Sequence, residues 1–101
     1  MQPQEKRQLF KQIMWDYNIP PEAIEDVFAG KRKTAGHYTE ETLFIKLLES
    51  YSWYTIINLL GLEKINILLT QKVIQRLRTP ELRRQYEYVR ERLQEHLPAP
   101  G

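Results

Sequence analysis

The sequence contains no cysteine. This absence excludes a disulfide framework and thiol-based catalysis, and it removes the usual ligands of a structural zinc site. Glycine is scarce as well, with 4 residues in 101. No G-x-x-x-x-G precedes the Lys33-Thr34 pair, so the segment does not match the phosphate-binding loop of an NTPase. Neither G-x-S-x-G nor H-E-x-x-H occurs, which excludes the enzyme classes that those motifs mark.

The sequence also lacks a long hydrophobic run. No stretch approaches the ~20 apolar residues that a membrane span needs, and the opening MQPQEKRQLF has no hydrophobic targeting core. Apolar residues make up 42% of the chain, which is typical of globular proteins. We therefore expect a cytoplasmic protein with one domain over residues 1–97. Residues 98–101, rich in proline, cannot continue a helix and are expected to fray.

Apolar residues recur at the 3.6-residue period, which predicts an all-α fold: a single compact domain of five to six short helices in an irregular, orthogonal bundle. The first helix is expected from about Gln4 to Trp15. Proline suits the first position of a helix, so the second is expected to begin at Pro21. Thr39 and Ser52 have the side chains of N-caps and are expected to start the third and fourth helices.

The second half of the chain leaves one alternative open. Residues 62–78 fit either one long helix or two helices with Thr70 as the cap of the second. Thr79, Pro80 and Glu81 then supply a cap, a proline at the first position and an acid at the second, which predicts a last helix running to Leu97. The predicted core consists of Leu43, Phe44, Leu47, Leu48, Trp53, Ile56, Ile57, Leu60, Ile65, Leu68, Ile74, Leu77, Leu82, Tyr86 and Val89.

His37, Glu40 and Glu41 come nearest to a chemical site. A metal centre needs three or four ligands, and no second histidine lies close to these residues in the sequence. A nucleophile, a base and an orienting group cannot all be named. We therefore interpret the two acids as the favourable charges of a helix N-terminus, and we expect no catalytic residue, no metal ligand and no cofactor. An enzyme using His37 with either acid is the weakest alternative.

Between residues 72 and 92, seven basic side chains stand against three acidic ones, which gives a local charge of +4. Arginine with interleaved tyrosine suits contacts to phosphates and bases, but the same residues are favoured in protein interfaces. A merely solvated face is the third interpretation. We predict that this region binds another protein, and the alternative is a small DNA-binding regulator. The predicted partner-binding residues are Arg76, Arg83, Arg84, Tyr88, Arg90 and Arg92.

Several short segments occur in an order that is found in other proteins. They include Trp15-Asp16 near the start and Leu82-Arg83 followed by Tyr86-Glu87 near the end. Over about residues 9–94, the chain resembles a family of small all-helical bacterial proteins of unknown function. The genes of that family tend to neighbour nucleotidyltransferase toxins of the abortive-infection type. The resemblance implies an antitoxin-like or adaptor-like protein with a nucleotidyltransferase as partner, and it implies no catalytic residues.

Overall fold

The computed structural model describes residues 1–13 and 19–97. Within these ranges it contains seven α-helices and one two-stranded antiparallel sheet, so the protein is largely helical, as the periodicity predicts. The predicted number of five to six helices is wrong, because residues 62–78 form two helices rather than one. The elements are α1 Pro3–Gln12, α2 Pro21–Phe28, β1 Thr34–Ala35, β2 Tyr38–Thr39, α3 Glu40–Ser50, α4 Trp53–Leu60, α5 Leu62–Leu68, α6 Gln71–Gln75 and α7 Pro80–His96.

The chain divides into two compact units, Met1–Ser50 and Tyr51–Gly101. The expectation of one domain over residues 1–97 stays a prediction. Residues 14–18, with the end of the predicted first helix and the Trp15-Asp16 motif, lie outside the described residues, as does the tail at 98–101. Of the helices that the structure describes, none combines the length and the apolar composition that a membrane crossing requires.

Hydroxyl side chains cap the N-termini of three helices of the second unit, α4, α6 and α7. The hydroxyl of Ser52 accepts a hydrogen bond from the Thr55 amide at 3.4 Å. The hydroxyl of Thr79 accepts one from the Leu82 amide at 3.1 Å. Each bond satisfies an amide that has no partner inside its helix, and this local chemistry is the reason that both starts could be predicted from the sequence.

Thr70 decides between the two alternatives for residues 62–78. Its backbone is extended, with φ −92° and ψ 164°, so a single continuous helix is not formed. Its hydroxyl accepts a hydrogen bond from the Val73 amide at 3.2 Å, which caps α6. The interpretation as two helices is therefore correct.

The start of α3 is capped in both directions. The Thr39 hydroxyl accepts from the Thr42 amide at 3.2 Å, and the Thr42 hydroxyl accepts from the Thr39 amide at 2.9 Å. These two reciprocal hydrogen bonds form a variant of the capping box, with threonine in place of glutamate at the third helical position. The predicted cap is confirmed, although Thr39 also belongs to β2.

The first unit contains a hairpin that the sequence interpretation missed. Thr34 pairs with Thr39 and Ala35 with Tyr38. Gly36 has φ +61°, and no residue other than glycine has a positive φ among those that the structure describes. A two-residue turn with glycine first in this conformation is typical of a type II′ hairpin. Ala35 is fully buried, which fixes the hairpin to the body of the unit.

The core prediction is correct for most positions and wrong for several. In the second unit Ile56, Ile65, Ile74 and Tyr86 are buried. Some predicted core residues are instead half-buried: Trp53, Ile57, Leu60, Leu68, Leu82 and Val89. Buried positions that the core prediction omitted include Ile24, Val27 and Phe28 of α2, Phe10, Ile13, Ala35, Ile45, Leu59, Leu69, Val73 and Leu93.

Candidate functional site

The second unit carries an apolar groove with a volume of about 290 Å³. It opens along the C-terminal half of α7, and the start of α4 and the start of α5 complete its wall. Aromatic and aliphatic side chains form most of its lining, with an arginine and a histidine beside them. The lining residues are Trp53, Leu62, Tyr88, Val89, Arg92, Leu93, His96 and Leu97.

Two of the lining residues have large apolar side chains that remain exposed. Tyr88 is 62% exposed and Leu62 is 41% exposed. Within the same unit, Tyr54 and Ile67 are also exposed, but they do not line the groove. Large apolar side chains that converge on a concave surface are the usual mark of a binding site, whereas scattered ones need no explanation.

Trp53, which lines the groove, contacts a buried tyrosine. Trp53 meets Tyr86 edge to face, with ring centroids 6.3 Å apart at 65°. Tyr86 is only 1% exposed, and its burial raises the pKa of its hydroxyl above the usual range for tyrosine. Because contact with the buried Tyr86 ring sets the position of the half-buried Trp53, this wall of the groove is part of the packed fold.

The predicted partner-binding residues differ in their exposure. Arg83 is half-buried, and its Nη1 donates a hydrogen bond to the Leu77 carbonyl at 2.6 Å. This bond joins the turn after α6 to the first turns of α7, so Arg83 supports the fold. Arg90 is also half-buried, and Arg76 is exposed at the end of α6.

Only Tyr88 and Arg92 of the predicted set line the groove. They are four residues apart, which places them one above the other on the same face of α7. Arg92 Nη1 lies 3.3 Å from Glu95 Oε2, and Arg84 Nη2 lies 3.9 Å from Glu81 Oε1. Both arginines therefore have an acidic partner three residues away on their own helix.

The exposed stripe of α7 is mixed in charge, in contrast to the local +4 of residues 72–92. Its charged members are two arginines and three glutamates, which sum to −1, since +2 and −3 are the contributions. At 100° per residue these positions fall within about a quarter turn of each other. A nucleic-acid-binding helix presents a basic stripe, and this face does not. The stripe consists of Glu81, Arg84, Tyr88, Glu91, Arg92 and Glu95.

His37, Glu40 and Glu41 do not form a metal site in the structure. His37 is exposed on the hairpin turn and stacks on Tyr38, with ring centroids 4.6 Å apart. Glu40 and Glu41 lie half-buried in the first turn of α3, where the helix dipole favours acids. Across residues 1–13 and 19–97, no three histidine or carboxylate side chains are grouped so that they could hold a metal ion.

Comparison of the chain with protein-family models, with curated proteins and with solved structures found no match.

Proposed function

We propose that this protein is a non-enzymatic protein-binding module, and that the groove beside Tyr88 is its docking surface. The observation that carries the proposal is the convergence of Trp53, Tyr88 and Arg92 on one apolar concavity. Tryptophan, tyrosine and arginine are the residue types that dominate binding energy at protein interfaces. An apolar centre beside charged side chains is also the usual anatomy of such an interface.

The partner segment that fits the groove is an amphipathic helix with acidic residues beside its apolar face. Helices dock into such grooves through apolar side chains spaced three and four residues apart. The cation that lines the groove is Arg92. The Arg92 side chain is 54% exposed, which leaves its guanidinium group within reach of an acidic side chain of the partner.

The proposed class of partner rests on the family that the sequence resembles. The genes of that family tend to neighbour nucleotidyltransferase toxins of the abortive-infection type. We infer that a protein of that class is the partner, and that the present chain is its antitoxin-like or adaptor-like companion in the cytoplasm. The mixed charge of the α7 stripe favours this reading over a DNA-binding regulator that uses the C-terminal helices.

Affinity purification of the tagged protein from its own host, at native expression, tests the proposal. We expect one protein to co-purify at a fixed stoichiometry with the wild type. Tyr88→Ala should lose this protein, whereas the matched control Tyr54→Ala should retain it, because Tyr54 is 78% exposed outside the groove.

A second matched pair separates loss of binding from a general effect of polarity on α5. Leu62→Gln removes an apolar side chain from the groove, and Ile67→Gln removes one that is 56% exposed elsewhere on the same helix. Arg83 is not a suitable probe, because its substitution also breaks the bond to the Leu77 carbonyl. Equal recovery of the partner with both members of each pair would exclude the groove as the docking surface.

A further inference from the structure

The first unit presents a second surface with different chemistry. Lys31, Arg32 and Lys33 are consecutive, and all three are exposed between α2 and β1. Their side chains form no hydrogen bond or ion pair with the part of the chain that the structure describes. Three adjacent cations without an ion-pair partner among the described residues create a local positive potential that a mixed stripe such as that of α7 does not.

The backbone holds this basic loop in place at both of its ends. The amides of Lys31 and Arg32 both donate to the Asp26 carbonyl, at 2.8 and 3.3 Å. On the other side the hairpin begins at Thr34, and the buried Ala35 anchors it. The cations are therefore presented from a fixed frame, so less conformational entropy is lost when they bind a ligand.

The loop has no apolar side chain with which to anchor a protein or a membrane. Within residues 30–37, all of which the structure describes, Ala35 is the single apolar side chain, and it is fully buried. A stable protein interface has an apolar centre, and membrane-surface binding needs apolar side chains that enter the acyl region. What remains is a purely cationic and polar surface, and this is the chemistry that contacts phosphate groups.

The hairpin that directly follows the loop in sequence carries an exposed aromatic group. His37 is exposed, and its ring lies on that of Tyr38. Lys46 Nζ lies 5.3 Å from the centroid of the same Tyr38 ring, which brings another cation to the hairpin. Histidine and tyrosine are among the side chains on which unpaired bases stack in single-stranded nucleic acid.

We propose that the loop Lys31-Arg32-Lys33 binds the phosphate backbone of a nucleic acid, with His37, in the turn of the hairpin that follows the loop, as a stacking surface for an unpaired base. This inference does not depend on the proposed docking groove, because it concerns different residues in a different unit. It places the contact to phosphate on the first unit rather than on the basic C-terminal region that the sequence alone indicates.

The test is the salt dependence of binding to three fluorescent probes: a 20-nucleotide RNA strand, the DNA strand of the same sequence and its 20-base-pair duplex. With three phosphate contacts, the slope of log K against log salt should be about −2.1 for the single strands and about −2.7 for the duplex. Affinity should then fall about 20-fold and about 40-fold, respectively, between 50 and 200 mM salt. The probe that binds most tightly identifies the source of the phosphates.

Matched variants of the full chain assign the contact to the loop. K31Q/R32Q/K33Q should weaken binding at 50 mM salt by about tenfold or more and bring the slope close to zero. K6Q/K11Q/K64Q removes the same charge elsewhere and should keep the slope. Conversion of Lys31 and Lys33 to arginine should preserve binding, and His37→Ala should weaken only the single-stranded probes. No binding to any probe at 50 mM salt, or equal weakening by the two triple variants, would overturn the proposal.

Discussion

Replacement of Gly36 by alanine tests the geometry of the hairpin that carries the basic loop. Gly36 has φ +61°, a conformation that costs an L-residue about 1 kcal/mol. A Cβ atom at this position would lie 2.7 Å from Ile19 Cδ1 and 3.3 Å from Ile19 Cγ1. The first distance is shorter than a van der Waals contact, so the Cδ1 end of the Ile19 side chain must shift, and a shift of about 30° from its rotamer costs about 1 kcal/mol more. We expect Gly36→Ala to lower the free energy of unfolding by about 2 kcal/mol.

Gly30→Ala is the matched control for this substitution. Gly30 has φ +79°, but a Cβ atom there would meet nothing within 4 Å. It therefore carries the conformational cost alone, and we expect a loss of about 1 kcal/mol. Because both substitutions restrict the unfolded chain to the same extent, that contribution cancels in their difference.

Urea denaturation followed by circular dichroism measures the free energy of unfolding of both variants. The same two substitutions are then measured in a protein that also carries Ile19→Val. Ile19→Val removes the Cδ1 atom, so Gly36→Ala should cost about as much as Gly30→Ala in that background, with a coupling of about 1 kcal/mol. If Gly36→Ala and Gly30→Ala prove equally destabilising in the wild-type background, or if the excess cost of Gly36→Ala survives Ile19→Val, the close approach of Ile19 to the turn is wrong.

Two further predictions concern the second unit. Thr79→Ala removes the hydroxyl that caps α7 and should lower the free energy of unfolding, measured by urea denaturation, by about 1 kcal/mol. Thr79→Ser keeps a hydroxyl and should retain most of this stability. An unchanged denaturation midpoint for Thr79→Ala would contradict the capping bond. Burial raises the pKa of Tyr86, so the protonated form stabilises the fold below the unfolded pKa of about 10, and this stability is lost as the pH rises through the folded pKa. Tyr86→Phe should therefore reduce the alkaline loss of stability in denaturation curves taken above pH 10, and an identical pH profile would show that Tyr86 does not contribute.

The parts of the fold that could be predicted are those whose chemistry is local. Ser52, Thr70 and Thr79 mark helix starts because each hydroxyl meets an amide three residues ahead. The hairpin was not predicted because its strands have two residues each, which is too short to show an alternation of apolar and polar side chains. Glycine between Thr34-Ala35 and Tyr38-Thr39 was the available signal, since two-residue hairpin turns favour it.

The groove could be predicted only in part, because its lining comes from three helices. Tyr88 and Arg92 belong to the arginine-rich region that the sequence singles out, but Trp53 and Leu62 were assigned to the core or to a helix start. The engagement of Arg83 with the Leu77 carbonyl depends on the turn between α6 and α7, which no periodicity reveals. The local charge of +4 over residues 72–92 did not predict the mixed charge of the exposed stripe of α7. The pairing of arginine with glutamate on this helix depends on which residues share a face.

The most direct test of the docking groove is the dissociation constant of the purified partner for Tyr88→Ala and for Tyr54→Ala, measured by titration calorimetry. A tyrosine at the centre of an interface contributes about 2 kcal/mol or more when truncated, so Tyr88→Ala should raise the dissociation constant about 30-fold. Tyr54→Ala, with a side chain that is exposed outside the groove, should leave it unchanged. Equal constants for the two variants would contradict the assignment of the groove as the docking surface.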